Sequence, residues 1–446
     1  MALRIRTLRL SGIRQFRDVT FDFSDPATGK PLDRVCLIGG NGTGKSTLLR
    51  LLASELVLNI PGSGTSWMKK LKTPSYWAVE LANGAETGTR VPLSNGKGWI
   101  THYCDATSKN TMNPYSSEGR MTTEKSQFWD AALKDSIAVY CPPDAELSPS
   151  SSKLTDVPSS NLDQALRFLK QPNSKFKVGQ DSVIEFWKLL IALVKSREAR
   201  LLEYHRQPEN RERTIREVEE EFLARNPDIL KELSELWEPI LAKAGLAFDY
   251  GKASLPVQLT ENLKAYIRLL AEDAVIPYAE LSTGIRSFLF RLGHLLTIFR
   301  FHPGKGGIVL IDEPENSLHP DFLFELLSHY KRAAPGAQMF FATHSPIVAA
   351  QFKPEERFIL EFDADSGVVV RRGVTPEGDD PNDVLLRDFA VRTLYGPKGL
   401  ENWKRFRKLD QSIQQATDPK IRKEMLHEYL ELGRTYNFGP HDEVSS

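Results

Sequence analysis

The pattern of hydrophobic and polar residues changes its period several times along the chain. Residues 3–10 alternate in the manner of a half-buried β-strand, and residues 19–23 follow with a second strand-like segment. Short continuous apolar runs, typical of buried strands, lie at residues 35–38, 137–141 and 308–311. We therefore predict an α/β fold whose strands come from both ends of the sequence.

Further strands are indicated in two other regions. Residues 61–104 are rich in Gly, Thr and Ser with interspersed aromatic residues, and we predict an antiparallel β subdomain there with strands at 77–81 and 98–103. Residues 358–362 and 367–372 predict a hairpin, so that the acids between them are interpreted as turn residues. A Ser/Pro-rich stretch from Ser148 to Ser160 predicts a mobile loop.

Helical periodicity dominates the middle and the end of the chain. Apolar residues recur at three- and four-residue steps from residue 181, and Asn226-Pro227 separates two later helices. We expect an inserted helical lobe before residue 278 and a small C-terminal helical appendix. The further helices are predicted at 210–225, 228–244, 288–301, 384–394, 400–413 and 420–436, the last of them capped by Asp418-Pro419.

A glycine-rich segment between the strand at 35–38 and a helical run carries the most specific chemistry. It fits the pattern G-x-x-x-x-G-K-[ST] at every position, and its backbone N–H groups suit the phosphates of a nucleotide. Lys45 would reach the β- and γ-phosphates, and the Ser46 hydroxyl would hold Mg²⁺. The nucleotide-binding residues predicted in this loop are Gly39, Asn41, Gly42, Gly44, Lys45, Ser46 and Thr47.

Two carboxylates follow the apolar strand at 308–311. Asp312 suits a contact with Mg²⁺, which prefers hard oxygen ligands. Glu313, one residue further on, is positioned to polarise an attacking water. Alone, such a pair is often a solvated strand end, but downstream of a phosphate-binding loop it predicts a hydrolytic site.

Two more segments carry candidate nucleotide contacts. Leu281-Ser282-Thr283-Gly284-Ile285-Arg286 precedes the helix predicted at 288–301, and Ser282 is a plausible N-cap. Gly284 would leave the N–H groups of that helix start open to phosphate. Residues 339–345 predict a strand that ends at His344, which we interpret as a γ-phosphate contact rather than a structural histidine.

The order of these motifs resembles that of the ATP-binding-cassette ATPases, whose LSGGQ-type signature is similar to residues 281–286. In that family the signature of one subunit covers the ATP held by the other, in a head-to-tail dimer. The resemblance implies that Ser282, Gly284 and Arg286 act in trans. It also implies that Lys45, Ser46, Asp312, Glu313 and His344 act in cis.

Several features resemble the OLD, RecF, SMC and AAA-15/AAA-21 branch more than the transporters. Residues 315–320 end in Leu-His-Pro, the signature lies more than two hundred residues after Lys45, and residues 12–17 are similar to the opening of SMC- and RecF-like heads. Arg14 and Arg17 would approach nucleotide there or lie on the surface. The predicted units are an N-terminal core half with the β subdomain, a loop with the helical lobe, a C-terminal core half and the appendix, at 1–140, 141–277, 278–375 and 376–446.

Composition and charge restrict the partners and the cellular location that we expect. The 446 residues carry 58 basic and 58 acidic side chains, so any contact with DNA would be a local patch. The three cysteines have no metal-ligand spacing, and Cys36 is predicted to be a core residue. No apolar stretch long enough to span a membrane occurs and the N-terminus does not resemble a signal peptide, so we expect a cytoplasmic protein without a membrane partner.

ATP hydrolysis with Mg²⁺ is the only chemistry that the motifs predict, and three functions remain open. The resemblance to the Septu, PARIS and retron-associated ATPases implies a homo-oligomeric sensor and scaffold that controls an effector such as a nuclease in anti-phage defence. One alternative is a DNA-repair ATPase of the RecF type that binds duplex DNA. The other is a slowly hydrolysing, nucleotide-locked assembly module.

Overall fold

The structure is a computed structural model that describes most of the chain, and the chain has an α/β fold. The described residues are 3–54, 58, 60, 76–83, 86–92, 99–104, 132, 136–143, 174–225, 229–248, 267–272, 274–276 and 280–438. The loop predicted at Ser148–Ser160 lies outside them.

The strands of the described residues are, in chain order, β1 (Leu3–Ile13), β2 (Phe16–Asp22), β3 (Arg34–Gly39), β4 (Tyr76–Asn83), β5 (Glu86–Pro92), β6 (Trp99–Cys104), β7 (Ile137–Cys141), β8 (Lys175–Lys177), β9 (Leu246–Phe248), β10 (Ile267–Leu269), β11 (Ala274–Ile276), β12 (Gly307–Asp312), β13 (Ala337–Ala342), β14 (Arg357–Asp363) and β15 (Gly367–Arg372). Twelve of these strands form one mixed sheet in the order β6-β5-β4-β1-β2-β15-β14-β3-β13-β12-β7-β8, and β9 to β11 form a second, three-stranded sheet.

The two halves of the large sheet differ in strand direction. From β14 through β3, β13, β12 and β7 to β8, every neighbouring pair is parallel. From β6 to β14, every neighbouring pair is antiparallel. The strands predicted at 77–81 and 98–103 are thus confirmed as β4 and β6, and they extend the same sheet that carries the parallel strands.

The central parallel strands β3, β7, β12 and β13 are buried on both faces. In β12, Val309 and Ile311 belong to one hydrophobic core, whereas Ile308 and Leu310 belong to the other. Because successive side chains point to opposite faces, the continuous apolar runs supply both cores at once. The same alternation places Cys36 in a core, as predicted, where it is a free and fully buried cysteine.

A buried glutamine joins the parallel strands to β1. The Gln338 side chain accepts a hydrogen bond from the backbone N–H of Ile5 at 2.7 Å. It also donates to the carbonyl oxygens of Ile5 and Leu32, at 2.9 and 2.8 Å. These bonds satisfy polar backbone groups that would otherwise be buried without partners.

The α-helices in the part of the chain that the structure describes are α1 (Lys45–Ala53), α2 (Gln180–Arg206), α3 (Ile215–Arg225), α4 (Ile229–Lys243), α5 (Thr283–Phe301), α6 (Pro320–Leu323), α7 (Leu326–Ala333), α8 (Pro346–Ala349), α9 (Pro381–Asp383), α10 (Pro397–Gln415) and α11 (Pro419–Tyr436). Helices predicted in the middle of the chain are confirmed, although α3 begins five residues later than expected. At the last helix the predicted cap is also confirmed, because Asp418 accepts from the N–H of Lys420 at 2.8 Å.

The helical lobe packs directly on α5. At Gly293, an added Cβ would lie 2.6 Å from Trp237 of α4 and 3.0 Å from Phe186 of α2. A glycine at this position therefore allows three helices to approach one another closely. The contact places α2 and α4 in the same hydrophobic core as the parallel strands.

The prediction of a helix at 384–394 holds only for its first five residues. Residues 384–388 form one π-helical turn, and Ala390 has a φ of +52°, which ends the helical path. The Asp388 carboxylate points into the core, where it forms a fully buried ion pair with Arg357 at 3.2 Å. It also accepts from the Val374 N–H and the Thr375 hydroxyl, both at 2.9 Å. This network holds the segment away from a regular helix.

None of the helices within the described ranges is both long and apolar enough to cross a membrane.

Candidate functional site

The candidate residues follow strands that lie side by side in the sheet. The glycine-rich loop follows β3, Glu313 follows β12 and His344 follows β13, and these three strands are neighbours and parallel. Because parallel strands present their carboxyl ends at one edge, the three segments meet there. The motifs therefore gather at one edge of the sheet although they are separated by about 300 residues of sequence.

The loop from Gly39 to Gly44 depends on glycine at two positions. Gly44 has a φ of +103°, and an added Cβ would lie 2.2 Å from the Gln15 amide nitrogen and 2.6 Å from the Phe16 ring. Gly39 has a φ of +151°, and its added Cβ would lie 2.3 Å from the carbonyl oxygen of Leu360. By contrast, a Cβ at Gly42 would enter open space, and Asn41 is exposed. The loop thus packs closely on other segments at Gly39 and Gly44, whereas it is open at Asn41 and Gly42.

The Lys45 ammonium group lies inside this loop. It donates to the carbonyl oxygens of Gly39 and Gly40, at 2.8 and 3.2 Å, and only 5% of the residue is exposed. Burial lowers the pKa of Lys45 to about 8, although the negative charges of Asp312, Glu313 and Glu315 oppose that shift. The ammonium group attracts a polyanionic ligand, whereas the three carboxylates repel it unless a bound cation offsets their charge.

Ser46 and Asp312 form a set of oxygen atoms that fits a divalent cation. The Ser46 hydroxyl donates to Asp312 Oδ1 at 3.0 Å, and Asp312 is 1% exposed. Burial raises the pKa of Asp312 to about 6. Among the described residues, Asp312 Oδ2 is buried without a hydrogen-bond partner. An unpartnered carboxylate oxygen next to a hydroxyl is typical of a site for a hard cation such as Mg²⁺.

Glu313 and His344 are two further candidate residues that interact electrostatically with Lys45. Glu313 has a φ of +46°, which is unusual for a residue with a side chain, and its N–H donates to Ala342 O at 2.9 Å. His344 is exposed, and partial burial followed by the positive charge of Lys45 lowers the pKa of its imidazole. The structure therefore brings both predicted side chains into the electrostatic range of Lys45.

The signature-like segment lies at the start of α5. Ser282 is exposed and caps the helix, accepting from the N–H of Ile285 at 3.4 Å. Arg286 donates to the Thr283 hydroxyl at 3.3 Å, which is a contact within the same helix. Gly284 meets a different loop, because an added Cβ would lie 1.9 Å from the carbonyl oxygen of Ser317. The reason for glycine here is thus close packing on residues 317–318.

Thr47 contacts the N-terminal turn. Its hydroxyl accepts from Arg14 at 3.2 Å, so Arg14 reaches the start of α1, directly behind the glycine-rich loop. Arg17 instead donates to the carbonyl oxygen of Asp365 in the β14–β15 turn, so it is not directed at the loop. Of the two arginines considered from sequence, only Arg14 contacts a predicted site residue.

Three residues near the site were not identified from the sequence. The Gln15 side chain donates to Gly42 O at 3.0 Å, and Glu315 Oε1 accepts from the His344 N–H at 2.6 Å. Arg291, buried in α5, donates to the carbonyl oxygens of Pro142 and Glu313. Each contact joins segments that are at least 22 residues apart, so no local sequence pattern points to them.

This arrangement defines the class of the protein: a P-loop nucleotide-binding domain built on a mixed α/β sheet. A family model described as "AAA domain" matches residues 7–240, which is more than half of the chain. The chain therefore belongs to the AAA domain family. A second model, described as "AAA domain, putative AbiEii toxin, Type IV TA system", matches residues 160–350.

Solved structures with a similar chain path are SMC head domains. The Pyrococcus furiosus Smc head domain with an extended coiled coil, bound to the C-terminal domain of ScpA, has a TM-score of 0.41 and 16% identity, over 83% of this chain and 96% of that one. The SMC head domain from Thermotoga maritima has a TM-score of 0.39 and 13% identity, over 83% of this chain and 100% of that one.

Proposed function

We propose that this protein is an ATPase that binds ATP between two copies arranged head to tail. The observation that carries the proposal is the cluster at the strand ends, where Lys45, the Ser46–Asp312 pair and Glu313 lie together. A buried ammonium group, a site for a metal cation and a carboxylate that accepts a proton are the groups that phosphoryl transfer to water requires. Membership of the AAA domain family supports ATP as the nucleotide.

Each residue has a role in this proposal. Lys45 would exchange its bonds to the Gly39 and Gly40 carbonyl oxygens for bonds to the phosphates. Ser46 and Asp312 would hold Mg²⁺, which neutralises charge on the phosphate oxygens when it is bound. Glu313 would accept a proton from the attacking water, and His344 would contact the γ-phosphate.

The signature-like segment would serve the other copy. Ser282 is exposed at a helix N-terminus, where N–H groups and the helix dipole favour an anion. We therefore assign Ser282 and Arg286 to the triphosphate held by the partner subunit. Gly284, which the resemblance also assigns to that triphosphate, is buried against the Ser317 carbonyl of its own chain and would hold this segment in place. A nucleotide enclosed in this way would hold two heads together until hydrolysis releases them.

For the biological role, we propose a sensor and scaffold that controls a separate effector, such as a nuclease, in anti-phage defence. This role is supported by the Leu-His-Pro ending of residues 315–320 and by the toxin–antitoxin description of the family model over residues 160–350. Purification of the natively expressed chain tests it. The proposal predicts that an effector with nuclease activity accompanies the chain, and recovery of the chain alone contradicts this role.

The ATPase is tested by phosphate release from the purified protein and its Glu313→Gln variant. We expect Glu313→Gln to lower kcat by about a hundredfold or more, because the proton acceptor is lost. ATP binding should persist, so that the variant accumulates as an ATP-bound dimer in size-exclusion chromatography with light scattering.

Two further variants make this test specific. Lys45→Ala should lose ATP binding and turnover together. Glu361→Gln removes a carboxylate on β14 that pairs with Arg371 on β15, and it should leave turnover unchanged. Unaltered turnover in Glu313→Gln would show that another group accepts the proton.

A further inference from the structure

A buried guanidinium group contacts the backbone of the candidate site. Arg291 belongs to α5, nine residues after Ser282, and only 3% of it is exposed. Its Nη2 donates to Pro142 O at 2.6 Å and its Nη1 donates to Glu313 O at 3.4 Å. One side chain therefore joins the helix that begins at Ser282 to the ends of β7 and β12.

The backbone of Glu313 needs such support. A glutamate at a φ of +46° is in the left-handed region, which costs about 1–2 kcal/mol for a residue with a Cβ. The carbonyl oxygen of Glu313 accepts from Arg291 and also from the Asn316 N–H at 3.2 Å. Since these bonds fix the peptide that follows Glu313, they also fix the direction in which the Glu313 side chain leaves the backbone.

Two neighbouring contacts strengthen the same connection. The Asn316 side chain donates to Pro143 O at 3.2 Å, so residues 142 and 143 are held from both α5 and the 313–318 loop. The Ser317 carbonyl packs on Gly284 so closely that no Cβ fits between them. The helix α5 and the loop 313–318 thus meet at two points, one near each end of the loop.

We propose that Arg291 is a positioning residue for Glu313, and that it links the helix carrying Ser282 to the group that activates water. This inference rests on the proposed function, since it assigns Glu313 the role of proton acceptor. Arg291 acts through the backbone of Glu313 and does not itself contact the nucleotide. Its planar group spans two carbonyl oxygens on different segments, which a lysine ammonium does not reproduce.

Arg291→Met tests the proposal because it should lower kcat and leave the affinity for ATP nearly unchanged. We expect kcat to fall about tenfold to a hundredfold, because a small displacement of a catalytic group has a large effect on rate. The dissociation constant of a fluorescent ATP analogue should change by less than about threefold, because the phosphate-binding loop is intact. Arg291→Lys should recover part of the loss.

Arg300→Met is the matched control. Arg300 is on the same helix, but its guanidinium pairs with Glu232 at 3.0 Å on the surface and does not contact the 313–318 loop. We expect wild-type kcat and affinity from this variant. Equal losses in Arg300→Met and Arg291→Met would mean that any change in α5 disturbs the site, and they would overturn the proposal.

A double-mutant comparison separates positioning from general destabilisation. If Arg291 acts through Glu313, then Arg291→Met/Glu313→Gln should hydrolyse ATP at the rate of Glu313→Gln alone in single-turnover experiments. An additional loss equal to that of Arg291→Met by itself would overturn the proposal. If Arg291→Met does not fold, Arg291→Lys is compared in the same way, since it retains the buried charge.

Different results would contradict the ATPase function and the role of Arg291. Absence of ATP hydrolysis by the wild-type protein defeats the proposed function and this inference with it. Hydrolysis by the wild type, together with wild-type kcat in a folded Arg291→Lys or Arg291→Met variant, defeats the inference alone.

Discussion

At the residue scale, the site depends on where a side chain is absent as much as on where one is present. Gly44 has the backbone conformation that L-residues rarely adopt, and the Gln15 amide and Phe16 ring occupy the space of its missing Cβ. Gly40 lies in the same loop, yet a Cβ there would approach no atom closer than 3.9 Å. The loop therefore contains two glycines with very different requirements.

We predict that Gly44→Ala destabilises the protein by about 1–3 kcal/mol, from backbone strain and the clash with Gln15 and Phe16. Gly40→Ala should change the free energy of unfolding by less than about 0.5 kcal/mol. Urea denaturation of both variants measures the difference. Equal stabilities would contradict the packing described for Gly44.

Sequence was most informative where chemistry is local. The glycine loop, Lys45 and Ser46 are adjacent in the chain, so one short sequence pattern identifies them. Asp312 and Glu313 lie at the end of one apolar strand, which identifies them in the same way. Arg291 and Glu315 were missed because their partners are distant in sequence and the contacts exist only after the strands have assembled. The roles of all these side chains in ATP hydrolysis remain predictions.

At the element scale, the strands were predictable and one C-terminal helix was not. Apolar runs identified β3, β7 and β12, because nearly every side chain of a strand buried on both faces is apolar. The helix expected at 384–394 continues only to residue 388, where the Asp388 carboxylate is held in the core by Arg357, Val374 and Thr375. A tertiary ion pair overrides helical periodicity there, and no sequence pattern reveals the partner.

The Arg357–Asp388 pair should contribute strongly to folding. Both side chains are fully buried, so Arg357→Met leaves an unpaired carboxylate in the core, and we expect a loss of about 3–5 kcal/mol. Arg216→Ala removes an exposed partner of Glu220 and should cost less than about 0.5 kcal/mol. Thermal and urea unfolding of the two variants compares the pairs, and similar losses would refute the assignment.

At the scale of the whole molecule, the fold explains how distant motifs become one site. The first strand to carry a motif is β3 and the last is β13, and they are neighbours in the sheet although about 300 residues separate them. The motif order and the apolar runs predicted an α/β fold, but they did not predict that β8 joins the same sheet as β7. Pairing between distant strands depends on the assembled cores, so single-sequence periodicity does not specify it.

The proposed assembly follows from the position of Ser282. It is exposed at the start of α5, whereas the Ser46–Asp312 pair lies at the strand ends, and in our proposal a second copy brings the two together. The proposed division at residues 141, 278 and 376 would place Ser282 and Glu313 in the same unit, with Lys45 in another.

A complementation experiment tests the shared site most directly. Lys45→Ala and Ser282→Arg variants are purified separately, and phosphate release is measured for each alone and for their mixture. In the proposed dimer, one of the two sites formed by a mixed pair combines an intact Lys45 from one copy with an intact Ser282 from the other. We predict two variants without activity and a mixture that hydrolyses ATP. A mixture as inactive as its components, after subunit exchange has been verified, would contradict the shared site.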